Sequence, residues 1–496
     1  MRKKRIFFRA DSNQKIGYGH VIRTLALASI LNEVFQCNFV TRYKNKFFES
    51  FEDDSFGKVI FLKSERDSFD EFLSLLSEGD IVVLDNYFFN EFHEKVLKKN
   101  KVLVVCIDDL NNRSYYSDLI LNHSPSAPNL KYDVSSSSKL LLGLAYLLLR
   151  PSFYLSKKNR FKKCLDISNP TLFFCLGGSA LTQLNISIIK NIIDLKIPFS
   201  QLNVVVGKST YEDHDFIKFV EKYTNYQINI FSDIDASKMV NLICHSDIGI
   251  VSSGGILFEC ISLSLPVICG YIVDNQRNNF DFVAKNEWVN PVGDLNSSIL
   301  KKSDFKFDLN KIKKGFAQID LNSDLRIKAE FITKFYDQSS FMSLRDVNQK
   351  DKDLLFDWAN DETSRFNSIN QSEINYNDHC KWFDTKINEN NLNWFILTFL
   401  FTTPIGMIRF DYVSKNELLI NYSLDKYFRG KGIGKLLLDK GIKQLKNSCL
   451  NKKYKIIAYV KHDNYPSIKI FNNLCFKNVG SENIKNVNLI RFELQL

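Results

Sequence analysis

A histidine near the start of the chain lies where acid–base chemistry is possible. In RADSNQKIGYGHVIRTLALASIL, residues 9–31, His20 follows Gly17 and Gly19 and precedes apolar residues at helical spacing. A helix start with small glycines beside it presents backbone N–H groups to an anion. A histidine there can accept a proton from water near neutral pH. The alternative for a lone histidine is a helix cap or a side chain that fills a crevice.

A glycine loop follows a predicted strand further along the chain. The stretch FFCLGGS, residues 173–179, leaves that strand through Gly177 and Gly178. Without side chains, these residues let a phosphate approach the backbone closely. The loop is a candidate phosphate site, although a plain tight turn has the same sequence.

A serine-glycine loop and a polar loop come next. DIGIVSSGGILFECIS ends a predicted strand in Ser253 and Gly254, and the helix that follows presents Glu259. A carboxylate there can accept hydrogen bonds from both hydroxyls of a ribose, whereas the alternative is an exposed helix acid. DNQRNNF offers uncharged donors and acceptors to a sugar, as polar loops often do, through Asn275, Gln276 and Asn279.

The last third of the chain carries a glycine turn of another kind. YFRGKGIGKLLLDKGIKQL, residues 427–445, reads Arg429-x-x-Gly432-x-Gly434 and opens an amphipathic helix after the predicted strand LLINYSL. The N–H groups of such a turn can wrap a pyrophosphate. Another helix follows in AYVKHDNYPSIKIFNNLCFKNVG, with Asn464 and Ser467 ahead of it.

Alternating strands and helices must position the first three loops. Apolar runs such as CNFVT, VIFL, DIVVLDNY and KVLVVCIDD alternate with amphipathic stretches, and the alternation restarts at TLFFCLGGS. This pattern predicts βα repeats with parallel sheets. Asp85 and the pair Asp108–Asp109 end two of the strands, where the ligand crevice of such a sheet lies.

The composition shifts at Met342. From there the sequence predicts two helices, three strands, the glycine turn with its helix, the strand KIIAYV and a final helix–strand pair. The fold class is therefore α/β: two Rossmann-like domains, residues 1–155 and 156–338, followed by an α+β domain, residues 341–496.

Composition excludes several classes of protein. The chain of 496 residues is 45% hydrophobic and 25% charged, which is ordinary for a soluble globular protein of several domains. Its net charge of +10 is spread over short runs without a nucleic-acid-binding motif, so we expect no nucleic acid partner. The ten cysteines form no CxxC pair, and no apolar run is long enough to span a bilayer. We expect reduced thiols, no membrane span and a cytoplasmic location.

The first three loops together resemble two-domain nucleotide-sugar enzymes of the GT-B type. The series from Ser253 to Gln276 is similar to the UDP-binding half of the lipid II-forming N-acetylglucosaminyltransferase. With VVLDNY, CIDD and GLAYLLLRPSFY, the N-terminal motifs resemble more specifically the UDP-2,4-diacetamido-2,4,6-trideoxy-β-L-altropyranose hydrolase of pseudaminic acid biosynthesis, over about residues 5–290. One departure is Ala180, where that family's glycine loop usually continues with Asp.

This resemblance implies roles for individual residues. His20 would activate water at the anomeric carbon, Glu259 would hold the uridine ribose, and Asn275 and Gln276 would lie near the sugar or the phosphates. The other candidates for UDP or substrate binding in these motifs are Gly17, Gly19, Arg23, Arg150, Gly177, Gly178, Ser253 and Gly254. One base without a covalent nucleophile implies inversion, and no Asp-x-Asp pair suggests a metal.

The C-terminal motifs resemble the acetyl-CoA-binding core of the GNAT N-acetyltransferases. The resemblance implies acetyl-CoA as co-substrate, held by Leu424, Arg429, Gly430, Gly432, Ile433, Gly434, Lys435, Asn464 and Ser467. The segment before them looks like the UDP-4-amino-sugar acetyltransferase branch, on the strength of Trp358, Asn360, Arg365, His379 and Trp382. Both tryptophans equally suit a hydrophobic core.

The acid and base of this acetyl transfer stay open. His379 and His462 are the base candidates. The tyrosine that often protonates the departing thiolate is replaced by Phe471, so Tyr465 or a water would substitute, and Cys475 stands where a glycine is usual.

Two consecutive reactions follow from these resemblances. The C-terminal domain would acetylate the 4-amino group of a UDP-4-amino-4,6-dideoxy-β-L-N-acetylaltrosamine, and the N-terminal pair would hydrolyse the diacetamido product to UDP and free sugar. The expected partners are therefore a UDP-activated amino sugar and acetyl-CoA. A UDP-sugar glycosyltransferase with a tethered acyltransferase is the alternative, and a non-catalytic nucleotide-sugar-binding protein is a third possibility.

Overall fold

The computed structural model describes residues 3–12, 18–43, 57–63, 68–156, 168–178, 181–389, 393–399, 402–448 and 453–496. Gly17 and Ala180 lie outside the described residues. The chain divides into two compact units, Met1–Lys328 and Ala329–Leu496, and each is considered by itself. In the part of the chain that is described, no helix has the length and apolar character needed to cross a membrane.

The first unit begins with a parallel sheet, which with its helices forms the first lobe (described residues of 3–146). Its elements are β1 (Arg5–Ala10), α1 (Gly19–Leu31), β2 (Gln36–Thr41), β3 (Val59–Phe61), α2 (Ser68–Ser74), β4 (Ile81–Asp85), α3 (Glu91–Lys99), β5 (Leu103–Ile107), β6 (Ser114–Tyr115), β7 (Leu119–Asn122), β8 (Asp133–Val134) and β9 (Lys139–Leu142). The main sheet has the order β3-β2-β1-β4-β5-β7-β9, and all its neighbours are parallel.

The second lobe (described residues of 147–328) repeats this design. Its elements are α4 (Pro151–Leu155), β10 (Thr171–Cys175), α5 (Thr182–Asp194), β11 (Gln201–Val206), α6 (Lys208–Tyr211), α7 (His214–Glu221), β12 (Ile228–Ser232), α8 (Ala236–Cys244), β13 (Ile248–Ser252), α9 (Gly255–Ser262), β14 (Val267–Tyr271), α10 (Arg277–Lys285), β15 (Asn290–Asp294), α11 (Leu309–Gln318) and the start of α12 (Ser323–Phe335). The sheet order is β12-β11-β10-β13-β14-β15, again all parallel.

Both sheets reverse their strand order beside their first strand. In the first lobe the reversal separates β1 from β4, and in the second it separates β10 from β13. Ligands of open α/β sheets bind where the order reverses, at the carboxyl ends of the strands. His20 follows β1 and Asp85 ends β4, while the glycine loops follow β10 and β13. In each lobe the candidate residues therefore lie at the carboxyl ends of the strands, where the strand order reverses.

The packing of the side chains shows that the second lobe begins near residue 147. Leu147, Leu149 and Phe153 belong to the core of the second sheet, together with Phe173 and Phe258. The predicted boundary at residue 155 falls after this segment, because the sequence of the segment continues an apolar run of the first lobe.

The second unit is a mixed, mostly antiparallel sheet with helices. It contains α13 (Gln338–Phe341), β16 (Met342–Asp346), α14 (Lys352–Asn360), α15 (Glu362–Asn367), α16 (Tyr376–Ile387), β17 (Asn393–Phe399), β18 (Thr403–Ser414), β19 (Glu417–Leu424), α17 (Ile433–Ser448), β20 (Lys455–Lys461), α18 (Tyr465–Asn473), β21 (Lys477–Ile484) and β22 (Val487–Gln495). The sheet order is β16-β17-β18-β19-β20-β22-β21, in which only the β19–β20 pair is parallel among the described pairs.

Several predictions need correction. From Met342 the chain forms strand β16 and three helices rather than two helices, and it ends with a β21–β22 hairpin rather than a single strand. The sequence pattern of β21 misses the strand because its residues are nearly all exposed and polar, so pairing with β22 defines it. The strands β7, β9 and β15 were likewise absent from the predicted arrays.

The prediction of reduced cysteines agrees with the described thiols. None of the eight described cysteines is in a disulfide, and five of these are buried. Burial raises the pKa of Cys175 to about 12, so this thiol stays protonated at neutral pH.

Candidate active sites

His20 forms a buried pair with Asp85 in the first lobe. The Nδ1 atom of His20 lies 2.7 Å from Oδ1 of Asp85, which is completely buried. Because an ionised carboxylate only accepts hydrogen bonds, Nδ1 donates to it, and the neutral ring keeps its lone pair on Nε2. Such a ring can accept a proton at Nε2, and Asp85 then stabilises the resulting cation.

Arg23, one helical turn after His20, completes the ionic network. Its guanidinium donates to both oxygens of Asp85, at 2.8 Å and 2.6 Å, and to Oδ2 of Asp109 at 3.0 Å. The Thr24 hydroxyl adds a further hydrogen bond of 2.7 Å to Asp85. Burial opposes ionisation of Asp85, but the Arg23 guanidinium and the His20 ring outweigh it and hold the pKa of Asp85 well below its usual range. Asp85 therefore stays a carboxylate that orients His20.

Tyr87 links this network to the second lobe. Its ring packs edge-on against His20, with 4.8 Å between the centroids. Its hydroxyl donates to Asp109 at 3.0 Å and accepts from Nδ2 of Asn275 at 3.2 Å. Partial burial and the Asp109 carboxylate raise the pKa of Tyr87 to about 12. The predicted sugar-binding residue Asn275 thus lies next to the His20 network, although 188 residues separate it from Tyr87.

The first glycine loop also meets the His20 turn. Gly177 has φ +107°, a conformation that favours glycine, and a Cβ atom on Gly178 would lie 3.1 Å from the Tyr18 ring. Tyr18 precedes α1, whose first two residues are Gly19 and His20. The candidate phosphate loop and the candidate base therefore face each other across the two lobes.

The serine-glycine loop is braced by the polar loop that follows it. The Ser253 hydroxyl donates to the carbonyl of Gln276 at 3.1 Å, and Oε1 of Gln276 accepts from the N–H of Ile272 at 3.0 Å. Gly254 caps α9 without any side-chain hydrogen bond, which leaves the N–H groups of that helix start available to an anion. In this structure Gln276 holds the loop, while Asn275 points to the first lobe.

Glu259 is buried rather than exposed, which answers the alternative raised by the sequence. Its two carboxylate oxygens accept from Nε and Nη2 of Arg150, each at 2.9 Å. Each oxygen retains a second lone pair, so a ribose remains a feasible partner. Arg150 is further influenced by the charge of Asp235. Elsewhere in the second lobe, a cavity of about 380 Å³ is lined by Lys208, Tyr211, Glu212, Ile230, Phe231, Ser232, Asp233 and Ile234.

In the second unit, two central strands separate and open a cleft. The parallel β19–β20 pairing covers only Glu417–Leu419 against Lys455–Ile457. Beyond these residues, β19 continues to Leu424 and β20 to Lys461 without pairing to each other. The unpaired backbone of such an opening can bind an extended ligand by strand-like hydrogen bonds.

The glycine turn lies directly after the separated end of β19. Gly430 and Gly432 have φ of +72° and +78°, and a Cβ atom on either would meet nothing within 4 Å. Their conformation therefore requires glycine, and the space beside them is open. A Cβ atom on Gly434 would lie 2.8 Å from Ile470 and 3.6 Å from Leu424, so this glycine lets α17 approach α18. The neighbouring Ile433 is buried and Lys435 is exposed.

Arg429, predicted to bind acetyl-CoA, makes three hydrogen bonds within the second unit. Its guanidinium donates to the carbonyl of Leu424 at 3.0 Å, to Asp361 at 2.5 Å and to the Ser364 hydroxyl at 3.2 Å. These bonds occupy all three guanidinium nitrogens. The side chain therefore anchors the turn to the start of α15.

Asn464 and Ser467 surround an unpredicted tyrosine. Asn464 caps α18 by accepting from the N–H of Ser467 at 3.3 Å. The Ser467 hydroxyl lies 2.8 Å from the hydroxyl of Tyr422, on the separated part of β19. Burial raises the pKa of Tyr422, so its hydroxyl is protonated at neutral pH. Phe471 is buried against Phe492, and Tyr465 is 74% exposed.

The two predicted histidine bases lie in different surroundings. His379 is only 2% exposed, and its Nε2 atom donates to the Lys352 carbonyl at 2.9 Å within an aromatic cluster. His462 is exposed, and its Nε2 atom lies 3.3 Å from the Ser481 hydroxyl. His379 is thus fixed in the core, and Trp358 is also buried, donating to Asp425 at 3.0 Å.

Three residues of the candidate sites were not among the site residues predicted from the sequence. Asp85 was noted only as a strand end, Tyr87 follows it in the same DNY motif, and Tyr422 was read simply as part of a strand. A polar residue at the carboxyl end of a buried strand was the available signal for Asp85. Among the described residues, no group of three or more His, Cys, Asp and Glu side chains is arranged to hold a metal ion.

Comparison with known families agrees with this description of the second unit. Residues 342–477 match the model of the acetyltransferase (GNAT) domain. The C-terminal part of the chain is therefore a GNAT acetyltransferase fold, and the predicted co-substrate acetyl-CoA is confirmed at the level of this family.

Curated relatives cover the rest of the chain. An uncharacterized protein of Methanocaldococcus jannaschii is 27% identical over 97% of this chain and 99% of its own length. The UDP-2,4-diacetamido-2,4,6-trideoxy-beta-L-altropyranose hydrolase of Campylobacter jejuni is 26% identical over 57% of this chain and 96% of its own. The spore coat polysaccharide biosynthesis protein SpsG of Bacillus subtilis is 26% identical over 54% of this chain and 77% of its own.

Solved structures align with about a third of the chain. Spermidine N-acetyltransferase from Vibrio cholerae, in complex with CoA and spermine, has 15% identity and a TM-score of 0.29, covering 32% of this chain and 96% of its own. Phosphinothricin acetyltransferase from Sinorhizobium meliloti, in complex with acetyl-CoA, has 18% identity and a TM-score of 0.27, covering 32% and 89%. The chain thus joins a GNAT acetyltransferase domain to a longer region with sugar-nucleotide and polysaccharide-related relatives.

Proposed function

We propose that the first unit hydrolyses a UDP-linked diacetamido sugar of the altropyranose type. The observation that carries this proposal is the buried His20–Asp85 pair, which faces the Gly177–Gly178 loop across the lobes. A proton acceptor and an anion-binding loop are the two parts that displacement of a nucleotide by water requires.

The proposed reaction uses these parts in one displacement. Nε2 of His20 accepts a proton from water as the water oxygen attacks the anomeric carbon. The bond from that carbon to the phosphate oxygen breaks, and UDP leaves with the electron pair. Asp85 stabilises the protonated His20, and the backbone N–H groups near Gly178 and Gly254 stabilise the departing pyrophosphate. A single displacement inverts the anomeric configuration.

The second lobe would hold the nucleotide in this proposal. Two parallel α/β lobes with the loops at their reversals are consistent with the GT-B type, and the hydrolase relative matches 57% of the chain. The ribose would lie on Glu259, which Arg150 orients.

The second unit would supply the substrate of the first. Its GNAT domain would transfer an acetyl group from acetyl-CoA to the 4-amino group of the UDP-amino sugar, within pseudaminic acid biosynthesis. The amine nitrogen attacks the thioester carbonyl, the carbon–sulfur bond breaks, and the Tyr422 hydroxyl gives its proton to the thiolate. The proton that the nitrogen loses passes to water, and Tyr422 regains a proton from water. Tyr422 suits this role better than Tyr465 because its hydroxyl lies at the opening between the strands.

An NMR time course of the full chain tests both reactions. The chain is mixed with the UDP-4-amino sugar, with and without acetyl-CoA. We expect acetylation followed by release of UDP and free sugar, only when acetyl-CoA is present. Acetylation with the UDP linkage left intact would instead favour a glycosyltransferase in the first unit. No acetylation would contradict the substrate assigned to the second unit.

A further inference from the structure

A second histidine lies at the same edge of the first sheet and takes no part in the proposed displacement. His123 follows β7 directly, and β7 lies two strands from β4, whose last residue is Asp85. Its Nδ1 atom is buried and has no hydrogen-bond partner among the described residues. Burying a polar atom without a partner is unfavourable, so its position calls for an explanation.

The backbone on both sides of His123 is fixed. Asn122 donates to the Tyr132 hydroxyl at 2.8 Å, and its Oδ1 accepts from the N–H of Ser124 at 2.9 Å. The Ser124 hydroxyl donates across the lobes to Asn279 at 2.8 Å. Asn279 in turn donates to the Ser253 carbonyl at 3.4 Å. His123 is therefore held where the two lobes meet, beside the serine-glycine loop.

The charges around His123 decide what it can bind. Arg23, Asp85 and Asp109 are all close enough to act on its ring. Of these three charged groups, the Arg23 guanidinium acts most strongly on the ring. Burial and the nearby Arg23 lower the pKa of His123 to about 4, so the ring is neutral at neutral pH. A neutral ring offers a hydrogen bond but no positive charge, so it suits an uncharged polar partner better than a phosphate.

We propose that Nδ1 of His123 hydrogen-bonds an uncharged group of the sugar, a hydroxyl or an acetamide, and so selects the sugar of the nucleotide sugar. This inference rests on the proposed function of the first unit. The phosphates and the nucleoside have their candidate contacts in the second lobe, at Gly178, Gly254 and Glu259. The first lobe, which carries His20 and His123, receives the sugar.

Binding measured with two ligands tests this assignment. Dissociation constants for UDP and for the UDP-diacetamido sugar are measured by calorimetry in a His20→Asn background, which prevents turnover. His123→Leu removes the ring nitrogens, and His123→Asn keeps a polar atom near the position of Nδ1. His214→Leu is the matched control, because His214 is exposed on α7 of the second lobe.

The expected result is a difference between the ligands. His123→Leu weakens binding of the UDP-sugar by about tenfold or more and leaves binding of UDP unchanged, which also shows that the variant is folded. His123→Asn recovers most of the lost affinity, and His214→Leu changes neither constant. Equal weakening of both ligands, or no weakening of either, overturns the assignment.

Failure of the proposed function gives a different result. If the chain with its native His20 neither hydrolyses the UDP-sugar nor binds it more tightly than UDP, the function itself is wrong and the inference falls with it. If that chain does hydrolyse the sugar and His123→Leu leaves KM unchanged, only the role of His123 is wrong.

Discussion

The two candidate sites differ in the chemical groups that form them. In the first unit, buried charged side chains from separate elements converge: His20, Arg23, Asp85 and Asp109 form one ionic network. In the second unit, the site is mainly backbone, with separated strands and a glycine turn whose one arginine points inward. The difference follows from the proposed chemistry, since activating water needs a tuned base, whereas a thioester is already reactive towards an amine.

This contrast has a consequence for stability. A buried ionic network is sensitive to the loss of one charge, because the remaining partner is left unpaired in a medium of low dielectric. A site of backbone groups tolerates side-chain changes and depends instead on conformation at a few glycines. Side-chain substitutions should therefore lower the stability and activity of the first unit more than those of the second.

The largest effect is expected for His20→Asn. Removing the proton acceptor should lower the rate of UDP release by about 10²–10⁴-fold, with acetyl transfer unchanged. The rates of both steps are measured on the same sample by NMR, with His214→Asn as the control at an exposed histidine. Unchanged hydrolysis would refute the role of His20 as the base.

Asp85→Asn should damage both activity and folding of the first unit. Removing one charge of a buried ion pair costs about 3–5 kcal/mol, and the Asn amide no longer enforces the tautomer of His20. Denaturant unfolding should show this loss for the first unit, while acetyl transfer persists. Asp281→Asn, at a mostly exposed ion pair on α10, is the control and should cost little.

The same residue predicts a dependence on pH. The pKa of Asp85 is lowered in the folded state, so its ion pairs stabilise the fold above the unfolded-state pKa of about 3.9 and are lost as the pH falls below it. The free energy of unfolding should drop more steeply below about pH 4 in the native chain than in Asp85→Asn. Parallel curves for the two proteins would contradict the strong ion pairing of Asp85.

Tyr422→Phe tests whether the Tyr422 hydroxyl is the proton donor of the second unit. If the hydroxyl protonates the thiolate, kcat for acetyl transfer should fall by about 10²-fold, with little change in KM for acetyl-CoA. Tyr465→Phe removes the exposed alternative and should have no such effect. The reverse ranking of the two variants would assign the proton donor to Tyr465. Hydrolysis of a pre-acetylated UDP-sugar should be unaffected in both.

The smallest effect concerns Cys475. This residue follows α18 with φ +61°, a conformation that costs a side chain about 1 kcal/mol and costs glycine little. Cys475→Gly should therefore stabilise the second unit by about 1 kcal/mol, measured as a shift of its unfolding transition. Cys380→Gly, inside helix α16, should destabilise it instead.

Local patterns were enough for much of the fold. The apolar runs of β2, β4, β5, β10 and β13 and the periodic helix α1 were predicted because buried parallel strands and amphipathic helices carry their signal in neighbouring residues. The strand β21 was missed because its residues are exposed and gain their structure from β22. The sequence did not show that His379 is buried, because the periodicity of apolar residues does not distinguish a core histidine from one that faces a ligand.

The sequence by itself determined the order of βα units, the glycine positions and the acetyltransferase region, because each depends on residues close together in the chain. Only the tertiary structure decided which side chains meet. Asp85 reaches His20 across 65 residues, Glu259 reaches Arg150 across 109, and Asn279 reaches Ser124 across 155. It also decided that Arg429 turns inward to Asp361. The physical reason is that hydrogen bonds and ion pairs depend on distance and burial in space, and sheet pairing sets both.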